Sequence, residues 1–231
     1  MNRVPPTWRH VTSGSVVHAR CSSVADGDFH LDRAGPALFA RRAAFEPGAW
    51  TQLDEIHGTE VLVVTRPGEH DGAVADGAVT VRCDVVLAVW TGDCVPLVLA
   101  HETGSVGVVH VGWRGLVAGA VEAGVAALRH LSGEGAVAAW TGPAIGECCN
   151  EFGAGDLSSV VSLYGSGVAT TTTWGTPSLS MAEGVRAALR GVGVLSIEES
   201  GVCTRCDERF FSHRRGDAGR HVVTARTMAL A

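Results

Sequence analysis

The chain has no lysine: all 18 of its cationic residues are arginine. That absence excludes Schiff-base chemistry, a lysine general base and the lysine of a phosphate-binding loop, so any cationic role belongs to arginine or to a metal ion. A net charge of -6 over 231 residues, with scattered arginines, leaves no basic face to neutralise a run of phosphates. Nucleic acid is therefore not an expected partner. Long apolar runs are missing too, and the first twenty residues, with Pro5 and Pro6, hold no continuous signal-type segment. The expectation is a protein without a membrane span, located in the cytoplasm. The seven cysteines are an odd number in a chain of this size, which points to reduced thiols that mostly fill space rather than to a disulfide framework.

What is present is a 46% hydrophobic chain, long enough for one sizeable core, and it reads as a single domain over residues 1–231. Short β-branched runs at Val61 to Thr65, Val85 to Trp90, Val95 to Ala100, Val106 to Val111 and Ala136 to Trp140 predict strands. Leu116, Ala120, Val121, Val125, Leu128 and Leu131 fall on one face at helical spacing and predict one helix. A second helix is predicted by Ser180 and Glu183, placed as a capping box, and by Gly191 as its stop. A weaker helix is expected over Asp156 to Tyr164, a loop or edge strand over Gly165 to Pro177, and a terminal strand over His221 to Thr227. Strands clustered mid-chain with helices inserted favour α+β layers over a strictly alternating parallel sheet.

Asp93-Cys94 sits between two predicted strands and His110 ends a third, so neighbouring strands bring Cys94 and His110 to one sheet edge. His57 stands just before the strand at Val61. One cysteine and two histidines form a donor set that suits zinc, with the fourth tetrahedral position left for water. Such an ion brings bound water to a pKa of roughly 7. The intervals of 37 and 16 residues match no local zinc signature, however, and a buried small Cys94 beside a satisfied strand-end His110 remains the simpler reading of spacing alone.

Arg114, where a helix begins, offers a bidentate fork for phosphate or carboxylate, or else caps a carbonyl or pairs with Asp93. Near the carboxyl end Arg214, Arg215 and Arg220 stand on a short glycine-containing turn, either facing an anion site or solvated at the surface. Cys203-Thr204-Arg205-Cys206 has the form of half a zinc knuckle without an evident second half, and Cys148-Cys149 reads as packing.

Taken together, Glu55-Ile56-His57-Gly58, Ala75-Asp76-Gly77-Ala78-Val79-Thr80, Gly92-Asp93-Cys94-Val95-Pro96, His110-Val111-Gly112-Trp113-Arg114-Gly115, Gly142-Pro143-Ala144-Ile145-Gly146 and Phe211-Ser212-His213-Arg214-Arg215 resemble, in order, the laccase-domain or YfiH-like family. That family is also called peptidoglycan editing factor, purine nucleoside phosphorylase and, formerly, polyphenol oxidase. The resemblance covers about residues 50 to 231, while the first 45 or so residues are diverged. It implies an α/β/β/α layered domain holding one zinc by His57, Cys94 and His110. It also implies phosphorolysis of adenosine, inosine, guanosine or methylthioadenosine, with Arg114, Arg214, Arg215 and Arg220 as phosphate holders, and hydrolytic deamination of adenosine. Neither the preferred nucleoside nor the oligomeric state follows from it.

This chain departs from the family pattern at Glu55, where glutamine is usual, and at His213 and Asn150, where tyrosine is usual. Other readings stay open. The Cys94 and His110 pair would serve a metal-free cysteine-histidine hydrolase or amidase acting on peptidoglycan precursors. A diverged amino terminus would leave a zinc-stabilised binding module. A copper oxidase is disfavoured, because multicopper oxidases use His-x-His pairs and none of the ten histidines stands two from another.

Overall fold

The computed structural model describes residues 6–33 and 35–230, so the ends of the expected 1–231 domain, and Pro5, lie outside the described residues. In chain order the elements are β1 Thr7–Val11, β2 Ser15–Cys21, α1 Pro36–Phe45, β3 Ala49–Gln52, β4 Val61–Val63, β5 Gly77–Thr80, β6 Val85–Thr91, β7 Val95–His101 and β8 Val106–Val111. They continue as α2 Trp113–Ala118, α3 Ala120–Ser132, β9 Val137–Thr141, α4 Ala154–Tyr164, β10 Ala169–Thr171, β11 Pro177–Leu179, α5 Met181–Gly191, β12 Ser196–Glu199 and β13 His221–Ala229. Two sheets form, in the orders β1-β2-β13-β6-β3 and β12-β9-β7-β8-β5-β4, and β10 pairs with β11 apart from them.

The period-2 alternation of a strand explains why the central runs are apolar at every position. Along β6, Val85, Leu87 and Val89 enter the core between the sheets, while Val86 and Ala88 pack outward with Leu38 and Phe45 of α1. Along β7, Val98 and Ala100 face the other sheet, whereas Leu97 and Leu99 meet Leu116, Val121, Val125 and Leu128 of the helices. Each sheet thus has two buried faces, and the layers run α/β/β/α as expected. A fully buried leucine contributes about 1.5–3 kcal/mol of burial. Leu99→Ala, which also leaves a cavity, would cost about 2–5 kcal/mol.

Two local differences from the sequence reading have plain causes. The helix expected through Leu116 to Leu131 is two helices, because Gly119 adopts φ 95°, which ends α2 and lets the chain restart as α3 on the same apolar face. At the start of α5 the Ser180 hydroxyl accepts from the Glu183 N–H as a cap does, but the Glu183 carboxylate is drawn away to Arg186. The segment Gly165 to Pro177 contributes β10 and the first residue of β11. Among the described residues no helix is long and apolar enough to cross a membrane.

Candidate metal centre

Antiparallel pairing of β7 with β8 sets Val95 opposite Val111 and Pro96 opposite His110. Cys94, just ahead of β7, therefore lies beside His110 at one sheet edge. His57 reaches the same point from the loop before β4, and the ligand atoms of His57, Cys94 and His110 all lie within 4.8 Å of one another. Gly112 makes this convergence possible, since a Cβ there would stand 2.2 Å from His57 Nδ1 and 3.3 Å from Cys94 Sγ. The three donors fit a tetrahedral ion with one position free.

Asp76, 1% exposed at the head of β5, organises the group. Its Oδ1 accepts from His110 Nδ1 at 2.9 Å and from the His57 N–H at 2.8 Å. Its Oδ2 accepts from the Gly58 N–H at 2.6 Å and the Ile56 N–H at 3.3 Å. This holds the loop with His57 at φ 60°, a left-handed conformation that a histidine does not adopt cheaply. With Nδ1 engaged as a donor, His110 presents Nε2 to the cavity. Burial pushes the Asp76 carboxyl up, but the hydrogen bonds from His110 and the backbone outweigh it, and Asp76 stays ionised below its ordinary value.

Glu55 lies on the other side, its Oε2 3.8 Å from His110 Nε2 and its Oε1 accepting from the Trp90 N–H at 2.8 Å. Burial raises it to about 8 despite nearby His110. A protonated carboxyl offers one donor and one acceptor, as the glutamine usual at this position does. Burial acts against the Cys94 thiolate, yet the charges and hydrogen bonds of His110 and His57 draw it down to about 6. His110 is held well above its ordinary value, because Glu55, Cys94 and Asp76 outweigh its burial.

A cavity of about 230 Å³ opens onto the centre and is lined by Glu55 and Trp90, by His30 and by His213 and Arg220, besides His57, Cys94 and His110 and Thr91 and Gly92. Of the four arginines expected to hold phosphate, Arg220 lines it. Its Nη1 bonds three carbonyls of its own turn, including Gly219 O at 2.7 Å. Arg214 reaches away to Glu151 O at 2.8 Å and Asn150 Oδ1 at 3.2 Å. Arg215 is spent on internal carbonyls, Thr204 O at 2.9 Å and Arg205 O at 3.1 Å, and on Asp217. Arg114 is exposed on the first turn of α2 and stacks over Trp113 at 4.6 Å. It makes no bond to Asp93, whose carboxylate accepts from the Thr204 hydroxyl at 2.7 Å and the Arg214 N–H at 2.7 Å.

Sequence reading missed the work of Asp76 and Glu55, although both stand inside the quoted motifs, one of them two residues before His57. It also set the other cysteines apart. Cys148, Cys149, Cys203 and Cys206 in fact converge, with all their sulfurs within 4.8 Å of one another.

Two sheets packed between helices, with a His, Cys, His group at a strand edge that could hold a metal ion, are the fold and site of a laccase-domain protein. The chain belongs to the family described as multi-copper polyphenol oxidoreductase laccase, whose family model matches residues 24–228. It is 37% identical over 185 residues to a purine nucleoside phosphorylase of Streptomyces coelicolor, covering 79% of this chain and 76% of that protein. A Xylella fastidiosa protein, also named purine nucleoside phosphorylase, is 39% identical over 174 residues, covering 71% of this chain and 66% of that one. Among solved structures, YlmD from Geobacillus stearothermophilus superposes with a TM-score of 0.79 at 25% identity, covering 93% of this chain and 92% of that one.

Proposed function

We propose that the chain is a zinc-dependent purine nucleoside phosphorylase that takes adenosine, inosine, guanosine or methylthioadenosine together with phosphate, and that also deaminates adenosine. The observation that carries this reading is the His57, Cys94 and His110 centre opening onto a cavity that Arg220 and His213 line on one side and Trp90 on another. When bound, zinc supplies an acidified water for deamination and an electrophile near the reacting purine.

The side chains do the positioning. In phosphorolysis a phosphate oxygen attacks the anomeric carbon of the ribose as the bond to the purine nitrogen breaks, and positive charge develops on the sugar. A phosphate fixed close to that carbon both attacks and stabilises the charge. Arg220, with Nη2 3.5 Å from His213 Nδ1, is the lining cation for this task. Arg114, exposed two residues beyond Gly112, is left as a secondary anion contact, while Arg214 and Arg215, spent on neighbouring carbonyls, act by fixing the segment around His213. Trp90, with the His30 ring tilted against it at a centroid distance of 4.3 Å, offers the purine an aromatic face. Because about 230 Å³ is below the roughly 300–1,000 Å³ that encloses a drug-sized ligand, a nucleoside extends beyond the cavity mouth.

Purified protein at stoichiometric zinc, incubated with adenosine or inosine with and without phosphate, yields free base only when phosphate is present, and yields inosine from adenosine. Absence of both products in chromatography overturns the proposal. Metal analysis of the same sample separates zinc from the copper of the family description.

A second reading is supported by the row Asp76, His110, Cys94, in which a carboxylate orients an imidazole beside a thiol drawn down to about 6. That is the arrangement of a cysteine hydrolase acting on an amide or ester, peptidoglycan precursors among them. Alkylation of Cys94 that abolishes turnover without releasing metal would favour it.

A further inference from the structure

We propose that this protein has a second, structural metal site in which one zinc ion is held by Cys148, Cys149, Cys203 and Cys206. The strands β9 and β12 are parallel neighbours, so the turns that follow them leave the sheet at the same end. Beyond the strands the two segments stay joined, with Ala144 N–H bonding Val202 O at 3.2 Å and Thr204 N–H bonding Ala144 O at 2.9 Å. That pairing lays Cys203-x-x-Cys206 against the turn that carries Cys148 and Cys149.

A vicinal cysteine pair on a strand points to opposite faces. Here the pair sits on a helix-like turn, where Cys149 N–H and Asn150 N–H both bond Gly146 O at 2.9 and 3.1 Å. The two sulfurs are therefore only 3.6 Å apart. Cys206 Sγ lies 3.7 Å from Cys148 Sγ and 3.3 Å from Cys149 Sγ. Four sulfurs at a Zn–S distance of about 2.3 Å form a tetrahedron with edges of about 3.8 Å, so the cluster needs little movement to close on an ion.

The surroundings suit thiolates. The Gly146 N–H donates to Cys203 Sγ at 3.1 Å. A Cβ at Gly146 would lie 3.1–3.3 Å from Cys203 and Cys148, so the close approach depends on glycine. Four thiolates around a divalent ion carry two net negative charges. The charge of Arg205, inside the Cys-x-x-Cys turn, lies close enough to Cys149 to offset part of that charge, and its guanidinium is stacked on Trp174 at 4.9 Å. A site with four protein ligands has no open position and serves structure rather than catalysis.

The site also reaches the first centre. Thr204, between the two cysteines of one pair, holds Asp93 through its hydroxyl at 2.7 Å, and Asp93 precedes the ligand Cys94. Filling the four-cysteine site fixes that contact.

Metal counting on protein purified without added metal tests the proposal, and it does not depend on nucleoside activity. The parent is expected to hold two zinc ions per chain, a Cys203→Ser/Cys206→Ser variant one, and His57→Ala one. Cobalt replacement should give thiolate-to-metal absorption several times stronger in His57→Ala than in the cysteine variant, because four sulfurs report instead of one. If the double variant does not fold, native mass spectrometry of the parent decides: two bound zinc ions, with four cysteines resisting alkylation until a chelator is added, support the site. A single zinc that His57→Ala removes, or a disulfide within the cluster of the freshly purified parent, overturns it.

Discussion

Asp76→Asn is the sharpest perturbation of the centre, because it changes chemistry without changing shape. In the parent both oxygens accept, taking four donors between them: the His57 and His110 N–H groups on Oδ1 and those of Gly58 and Ile56 on Oδ2. An amide keeps one acceptor oxygen and turns an NH2 toward the other pair, so one set of donors faces a donor. Leaving buried donors unsatisfied costs about 1–3 kcal/mol. The loss falls either on His110, whose tautomer is then unset, or on the loop that keeps His57 left-handed. Removing the partner that orients a metal-bound histidine weakens metal binding about 10–100-fold, or about 1.4–2.7 kcal/mol. Competition for zinc against a chromophoric chelator should show that loss, while nitrogen NMR reports whether His110 still carries its proton on Nδ1. Zinc affinity within twofold of the parent in correctly folded Asp76→Asn would refute the claim that this carboxylate assembles the centre.

Other perturbations separate the roles around it. Gly112→Ala, whose φ of -77° suits alanine, should leave the circular dichroism unchanged but cut zinc occupancy at the His57, Cys94 and His110 group, because its Cβ takes the place of the His57 ring. Arg220→Lys should raise the KM for phosphate about tenfold or more through loss of the planar fork, with the KM for nucleoside unchanged. Glu55→Gln should keep both zinc and kcat/KM within a few-fold, since the amide keeps an oxygen to accept from the Trp90 N–H; a loss of 100-fold or more would instead make Glu55 a proton-transfer group. His221, buried beside Phe210, is pushed down by burial to about 4. Its neutral form is favoured on folding, so the stability it contributes is full above about pH 6.5 and is lost as pH falls toward 4, a difference of about 3 kcal/mol. Urea midpoints across that range should fall less steeply for His221→Leu than for the parent.

Much of this architecture is readable from residue order because it depends on short-range pattern. Apolar runs bounded by Gly, Asp and Thr gave β6, β7 and β8, and the turn between β7 and β8 then pairs them and fixes where Cys94 and His110 must meet. His57 is 37 residues from Cys94 and needed the family motif. At Arg114 and the arginine turn, residue type marks a cation but does not reveal the direction of its side chain. Arg215 is spent on Thr204 and Arg205 carbonyls eleven and ten residues away, contacts that no periodicity marks. The four-cysteine cluster was hidden for the same reason: its halves are more than fifty residues apart, and the parallel pairing of β9 with β12, continued beyond the strands, joins them.

The cavity is lined mostly by irregular segments, and the acidic residues explain how these keep their geometry. Asp76 holds the loop of His57 through three backbone N–H groups. Asp93 takes the Arg214 N–H and so fixes the residue after His213. Asp28 accepts from the His30 N–H at 3.0 Å and the Arg220 N–H at 2.9 Å, tying two lining residues from opposite ends of the chain to one carboxylate. Hydrogen bonds from backbone to an ionised acceptor are among the stronger ones available without a regular ladder. Part of the chain's negative charge is therefore internal scaffolding. Substituting any one of these aspartates should displace its own cavity residue before it unsettles the sheets, so metal or phosphate affinity falls further than the urea midpoint does.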